Sequence, residues 1–440
     1  VSRSFFLALV VAVVTAAVWP WFVAYRTLQA RADDLPAVAP VTADYRYRDK
    51  LVAFWEGAVR SRARNDMLSP RNLADQYLQR YRETGDIADV LRAVHMAQRS
   101  LDVMPSGNAG ADLSMSSALL TLHRFREARR YVLLARIDHP RDATLVAREA
   151  SLDMELGDYA AARALLASAP VKDQLVNSEW QTVQARYDEL TGHLERARAE
   201  ISKPAMELDS NFSAPAQSRA WYHLREGEMA FDAGDRSEAL LQERSALALF
   251  PRYADALRDL ARFECAARDW RSCLGDATRS ADLVPFPEAL GYKVDAERGL
   301  GDEAAAARTG ALIETVERVG NAQHISDRLL AVYYSEHGIH VADALRIARN
   351  ELAVRDDIYT EDTLAWAAAM AGRWDEARRA SAKAIRFDTE DSRLQYHAGI
   401  IALHFGDRAF ARKRLQRALA LNPAFHAFYA DDARAQLARI

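Results

Sequence analysis

AWAAAMAGRWDEARRASAKAIRFD (residues 365–388) and YHAGIIALHFGDRAFARKRLQRALALNP (residues 396–423) carry one pattern twice. In each, an apolar run at helical spacing reaches a glycine, and a second run with alanines at fixed places follows. Gly372 and Gly406, Ala377 and Ala411, and Ala384 and Ala418 all stand 34 residues apart. The interval recurs upstream in Pro251 and Pro285, Phe125 and Tyr159, Ala128 and Ala162, and Ala135 and Ala169. Gly-Asp turns mark the units at Gly85-Asp86, Gly157-Asp158, Gly234-Asp235, Gly301-Asp302 and Gly406-Asp407, and Pro105, Pro140, Pro251, Pro285 and Pro423 close them. Gly tolerates the left-handed conformation that ends a helix. The next Asp caps the following one. Alanines at a crossing let two helix axes approach, and proline cannot continue a helix. A single hairpin cannot bury its own apolar face, so stacking on neighbours is required.

On Gly372, Trp374, Ala377, Ala384, Gly399, Gly406, Ala411, Ala418 and Pro423 the chain resembles the tetratricopeptide repeat family. The resemblance covers residues 70–425. It implies an all-α, right-handed superhelical solenoid of about ten helix-turn-helix hairpins, preceded by one N-terminal hydrophobic helix. Residues 45–69 read as an N-terminal capping helix and residues 426–440 as its C-terminal counterpart, since the end faces of a stack need partly polar cover. Two places depart from the pattern. The unit at 288–324 keeps its turn but has a loose second helix. Between the units starting near 178 and 220 the interval stretches to 42 residues, with Pro204 and Pro215 in the excess, so a hinge or break is expected at 203–217.

The 440 residues are half hydrophobic, poor in Gly (18) and Pro (13), and carry a net charge of −4, which favours helices and argues against a nucleic-acid partner. High Ala and Arg content is what a GC-rich bacterial coding sequence gives. Residues 5–25 (FFLALVVAVVTAAVWPWFVAY) contain no charge. As a helix they would span about 32 Å, enough for a bilayer core. Trp19, Trp21 and Tyr25 gather at one end, as interfacial aromatics do. Residues 1–26 are therefore expected to be a retained transmembrane anchor, with 27–44 as a linker and the solenoid outside the cytoplasm. The alternative is a signal peptide cleaved near Ala30-Arg31-Ala32, releasing a secreted or periplasmic protein.

No phosphate loop, His-Glu-x-x-His or Gly-x-Ser-x-Gly motif occurs. The expectation is no enzyme activity, no cofactor and no metal. His337 and His340 beside Glu336 lack further ligands at metal spacing and read as turn residues; His397 and His404 lie two turns apart on one helix. Cys265 and Cys273 flank one turn. Packed helix axes about 8–10 Å apart are too distant for a disulfide, so two free thiols are expected and a bridge is the alternative. The remaining surface is the concave groove. The family's groove positions fall on Arg186, Trp221, Glu228, Phe231, Arg258, Arg262, Tyr359, Asp362, Trp366 and Tyr396. Trp221 and Trp366 equally fit packing between repeats, and Arg258 and Arg262 can pair with Asp255 and Asp259. The Asn-containing clamp for C-terminal carboxylates is absent. The resemblance thus implies a membrane-anchored adaptor that takes a protein or peptide segment in its groove, with a role in envelope assembly or regulation. The rivals are a released periplasmic binder and, from another class, an enzyme using the groove.

Overall fold

At the five Gly-Asp pairs the backbone does what the two residue types favour. Gly85, Gly157, Gly234, Gly301 and Gly406 have φ between 74° and 84°. The next Asp accepts a hydrogen bond from the new helix: Asp158 from Ala161 N–H at 2.9 Å, Asp302 from Ala305 at 2.9 Å, Asp407 from Phe410 at 3.0 Å. Each such cap contributes about 1 kcal/mol. The computed structural model describes residues 42–62, 65–168, 178–211, 213–322 and 328–440. Among these there are twenty-two α-helices and no strand. The uncharged stretch 5–25 lies outside the described residues, and none of the described helices is long and apolar enough to cross a membrane. The fold is that of the compact unit Asp44–Ile440.

Helix α1 (Thr42–Ser61) precedes twenty helices that pair in succession. The first hairpins are α2 (Leu68–Thr84) with α3 (Ile87–Val103), α4 (Ala109–Thr121) with α5 (Phe125–Asp138), and α6 (Ala143–Glu155) with α7 (Tyr159–Ala167). Next come α8 (Ser178–Leu190) with α9 (Leu194–Asp209), α10 (Ala216–Asp232) with α11 (Arg236–Leu249), and α12 (Ala254–Ala266) with α13 (Trp270–Leu283). The last are α14 (Pro287–Gly299) with α15 (Glu303–Ala322), α16 (Arg328–His337) with α17 (Val341–Val354), α18 (Ile358–Met370) with α19 (Trp374–Ala384), and α20 (Ser392–His404) with α21 (Arg408–Leu421). Helix α22 (Tyr429–Arg439) follows. The crossings are as tight as the small residues allow. Ala128, Ala162, Ala377, Ala384, Ala411 and Ala418 are fully buried, and a Cβ on Gly399 would stand 2.8 Å from the Leu415 side chain.

Three local expectations are corrected. The second helix of the 288–324 unit is continuous, as α15. Pro204 lies buried inside α9, so the helix runs on through it to Asp209, at the cost of one helical hydrogen bond, before a short connection to Ala216. Cys265 and Cys273 form a disulfide. Their Cα atoms are only 5.2 Å apart because they sit on either side of the turn itself, where the hairpin is pinched, not at mid-helix.

The stack also closes on itself. Tyr159 Oη accepts from Ile358 N–H at 3.2 Å, and Thr389 Oγ1 donates to the Leu190 carbonyl at 2.6 Å, both across 199 residues. That is about six 34-residue units, one turn of the coil. The same seam holds Leu194 N–H to Glu390 Oε2 (3.0 Å), Asn422 Nδ2 to the Phe231 carbonyl (2.7 Å) and Arg268 to the Ala427 carbonyl (2.7 Å). Turn glycines of the first coil abut loops of the second. A Cβ on Gly192 would meet the Phe387 carbonyl oxygen at 2.9 Å, and one on Gly234 the Leu421 oxygen at 2.6 Å. Gly301, Gly338, Gly372 and Gly406, in turns of the second coil, have nothing within 4 Å.

Candidate functional site

Helical spacing puts one face of each hairpin's first helix toward the interior of the coil. Coil closure turns that groove into a lumen. Helices α10, α12, α14, α16 and α20 together line a cavity of 300 Å³, with Glu228, Arg258, Arg262, Tyr292, Glu336 and Arg393 on its wall. Most charges on this wall and along the adjoining groove helices are paired, Arg328 on the wall being an exception among the described residues. Arg186 pairs with Glu189 (2.9 Å), Arg225 with Glu189 (2.7 Å) and Glu228, and Arg258 with Asp255 (2.7 Å) and Asp259 (3.1 Å). Arg262 pairs with Asp232 at 2.9 Å, Arg393 with Glu336 at 3.4 Å, and His337 with Asp295 at 2.8 Å. Burial pushes Glu228 up to about 7 and Asp232 up to about 6, against the pull of Arg225 and Arg262 respectively. Glu336 goes the other way: burial opposes its charge, but His426, Arg393 and His337 hold it down at about 2.

The ten groove positions divide by environment. Phe231 is buried and stacked on Phe263 at 4.3 Å, with the Arg262 guanidinium 4.8 Å from its ring and 5.8 Å from that of Phe263. Trp366 is buried, stacks on His397 at 4.2 Å and donates to Tyr429 Oη at 3.1 Å. Tyr396 is buried, donates to Asp432 at 2.7 Å and stacks on Tyr429 at 4.6 Å. Asp362 accepts from His397 Nδ1 at 2.9 Å. These four join neighbouring repeats. Arg186, on the first coil, lies 5.5 Å from the ring of Tyr359 on the second. Glu228, Arg258 and Arg262 line the polar cavity. The histidines of the 337–340 stretch diverge: His337 faces Asp295, and His340 lies 3.6 Å from Glu314. Among the described residues no group of three or more His, Cys, Asp or Glu is placed to hold a metal ion.

Trp221 opens onto a different and larger space, a 790 Å³ cavity between the end of α2 and helices α10, α12 and α13. Tyr81, Arg82, Trp221, Tyr222, Arg252 and Phe286 form its wall. Trp221 and Tyr222 meet edge to face at 5.0 Å. Two carboxylates reach this wall and both are neutralised: Glu83 by Arg48 at 3.1 Å, Asp255 by Arg258 at 2.7 Å. Of this wall only Trp221 was named from the repeat. Tyr81 and Arg82 stand at the end of α2, off the groove positions, and they meet Trp221 only because the first hairpin docks beside α13, where a Cβ on Gly85 would lie 2.6 Å from Val284 Cγ2. No 34-residue signal encodes that approach.

The architecture is a tetratricopeptide-like helical-repeat fold. No family model matches the chain, and no curated protein matches it. Solved structures do. The human IFIT1 dimer with PPP-AAAA is similar at 13% identity over 78% of each chain, with a TM-score of 0.51. The human IFIT1 dimer with m7Gppp-AAAA is similar at 14% identity, over 78% of this chain and 77% of that one, again at 0.51. Yeast Tom70 aligns with 84% of this chain and 96% of its own at 12% identity, but its TM-score of 0.33 carries no argument. The likeness to IFIT1 shows the fold.

Proposed function

We propose that this chain is a membrane-anchored scaffold that receives a segment of a partner protein inside its coil. The 790 Å³ cavity carries the reading. Its volume falls within the range of roughly 300–1,000 Å³ typical of ligand sites, and its wall of Trp, Tyr and Arg is the composition that anchors binding segments. The lumen supports a holding role, because most of its acids and bases are committed to one another. The uncharged residues 5–25 support the anchor. The Cys265–Cys273 disulfide supports an oxidising compartment outside the cytoplasm. That location agrees with a role at the envelope. Sequencing the mature N-terminus separates the anchored form from a released one: a start near Asp33 would replace the anchor with a cleaved signal.

A photo-crosslinking amino acid at Trp221, read by mass spectrometry in native membranes, tests the binding reading. The expected result is one or a few partner proteins captured from position 221 and not from an exposed position such as Leu241. Capture that is absent at 221, or equal at both positions, overturns it.

A further inference from the structure

The cavity is electrically unbalanced, and the imbalance defines what it takes. Arg82 stands on its wall with the neutral Gln79 amide oxygen as its hydrogen-bond acceptor, at 3.1 Å. Among the described residues it has no carboxylate at ion-pair distance. Its sequence neighbour Glu83 turns away to Arg48 and the Gln79 amide, and Asp255 is held by Arg258. Arg82 is exposed to the space of the cavity; the protein crowded around that space and the nearby Arg148 push its pKa below its ordinary value. A cation in the last turn of α2 suits the helix dipole. That benefit needs no cavity, and it does not explain why Arg82, exposed to this space, shares the wall with Trp221, Tyr222 and Phe286 and has no carboxylate partner among the described residues.

We propose, building on the peptide-binding reading, that the segment accepted here is acidic: an Asp or Glu pairs with Arg82 while an adjacent aliphatic or aromatic side chain packs on Trp221 and Tyr222. A carboxylate gives the guanidinium its two-pronged partner, and the rings on the same wall give the neighbouring apolar side chain its contact. Nucleic acid fits less well. A phosphate backbone needs a track of unpaired cations along its length, whereas most cations of the lumen beyond this cavity are already paired with carboxylates, Arg328 being an exception on the described wall.

The test selects displayed random dodecapeptides on the full-length protein in detergent micelles, in parallel with Arg82→Gln, Arg82→Lys and the double variant Trp221→Ala/Arg82→Gln. Peptides carried forward are synthesised with amidated C-termini, so that only side-chain carboxylates are read. Wild type should enrich Asp or Glu next to Leu, Phe or Tyr. Replacing that acid by its amide, or Arg82 by Gln, should weaken binding about tenfold or more, while Arg82→Lys keeps a preference for acids. Arg82→Gln should melt as wild type does, since Arg82 closes no ion pair. Enrichment without an acidic excess, or an excess that survives Arg82→Gln, overturns this proposal and leaves the peptide site standing. A selection no better than the double variant overturns both. Displacement of the peptide by an equimolar single-stranded oligonucleotide assigns the cavity to polyanions and overturns the acidic-peptide assignment.

Discussion

Gly157 performs two tasks, and only one of them is written in the local sequence. As the glycine of a Gly-Asp turn it adopts φ 82°, which costs an L-residue about 1–2 kcal/mol. That much is legible from the repeat, and Gly372, at φ 70°, shares it. But a Cβ on Gly157 would also drive into the backbone carbonyl of Asp356 on the next coil, while one on Gly372 would meet nothing within 4 Å. Gly372→Ala should therefore cost only the conformational penalty, about 1 kcal/mol. Gly157→Ala should cost that plus displacement of a backbone segment, about 3 kcal/mol or more in all. Urea unfolding of the two variants separates the contributions, and equal losses would mean that the seam yields without cost. Two turn glycines of the same conformation differ in consequence because contact with a residue 199 positions away is a property of the coil, not of the turn.

At the scale of one element, the hairpin α12/α13 shows what the repeat pattern foretells and what it leaves out. Its helices, turn and buried crossing Cys273 follow from the apolar spacing. The charge held beside the disulfide does not. Glu264, 6% exposed, has a carboxylate oxygen without a hydrogen-bond partner. Burial first, then repulsion from Asp276 and Asp269, push its pKa up to about 7. The sign of the linkage follows. Below about pH 4.5 the carboxyl is protonated in both folded and unfolded chains. Between there and pH 7 the unfolded chain releases the proton and the folded one retains it, so stability falls as pH rises and the loss is complete above 7. Glu264→Gln should leave stability unchanged at pH 4 and raise it by about 2 kcal/mol at pH 8, read by urea unfolding at the two pH values. A gain of the same size at both would assign the effect to packing. The candidate site was legible to a similar depth. Trp221 could be placed on the groove face from its register, but Tyr81, Arg82 and Phe286 join it by tertiary approach, and Phe231, Trp366 and Tyr396 occupy groove positions yet are consumed in packing between repeats.

On the scale of the whole molecule the governing quantity is the small rotation from one hairpin to the next. Summed over about six units it brings the second coil onto the first. No single repeat encodes that sum, which is why the stack could be read from sequence and its closure could not. Arg355 concentrates the closure in one side chain. It belongs to the second coil, pairs there with Asp357, and reaches Glu155 on the first, while its guanidinium lies 5.1 Å from the Phe125 ring. All the charges of this cluster are largely buried, so removing the cation strands two carboxylates together. Arg355→Ala should cost about 3–5 kcal/mol by that route. It should act first on the seam: backbone hydrogen exchange at Ile358 and Leu194, whose N–H groups bond across it, should accelerate, while amides within α12 and α20 keep their protection. Adding Glu155→Ala should restore part of the loss, because the stranded charge goes with it. If protection instead fell evenly along the chain, the ion pair would be supporting the hairpins rather than holding the coils together. A seam that opens selectively, by contrast, gives a partner segment lateral entry to a lumen that end-on threading would otherwise have to reach, so Arg355→Ala should also speed capture at position 221 without changing which partner is captured.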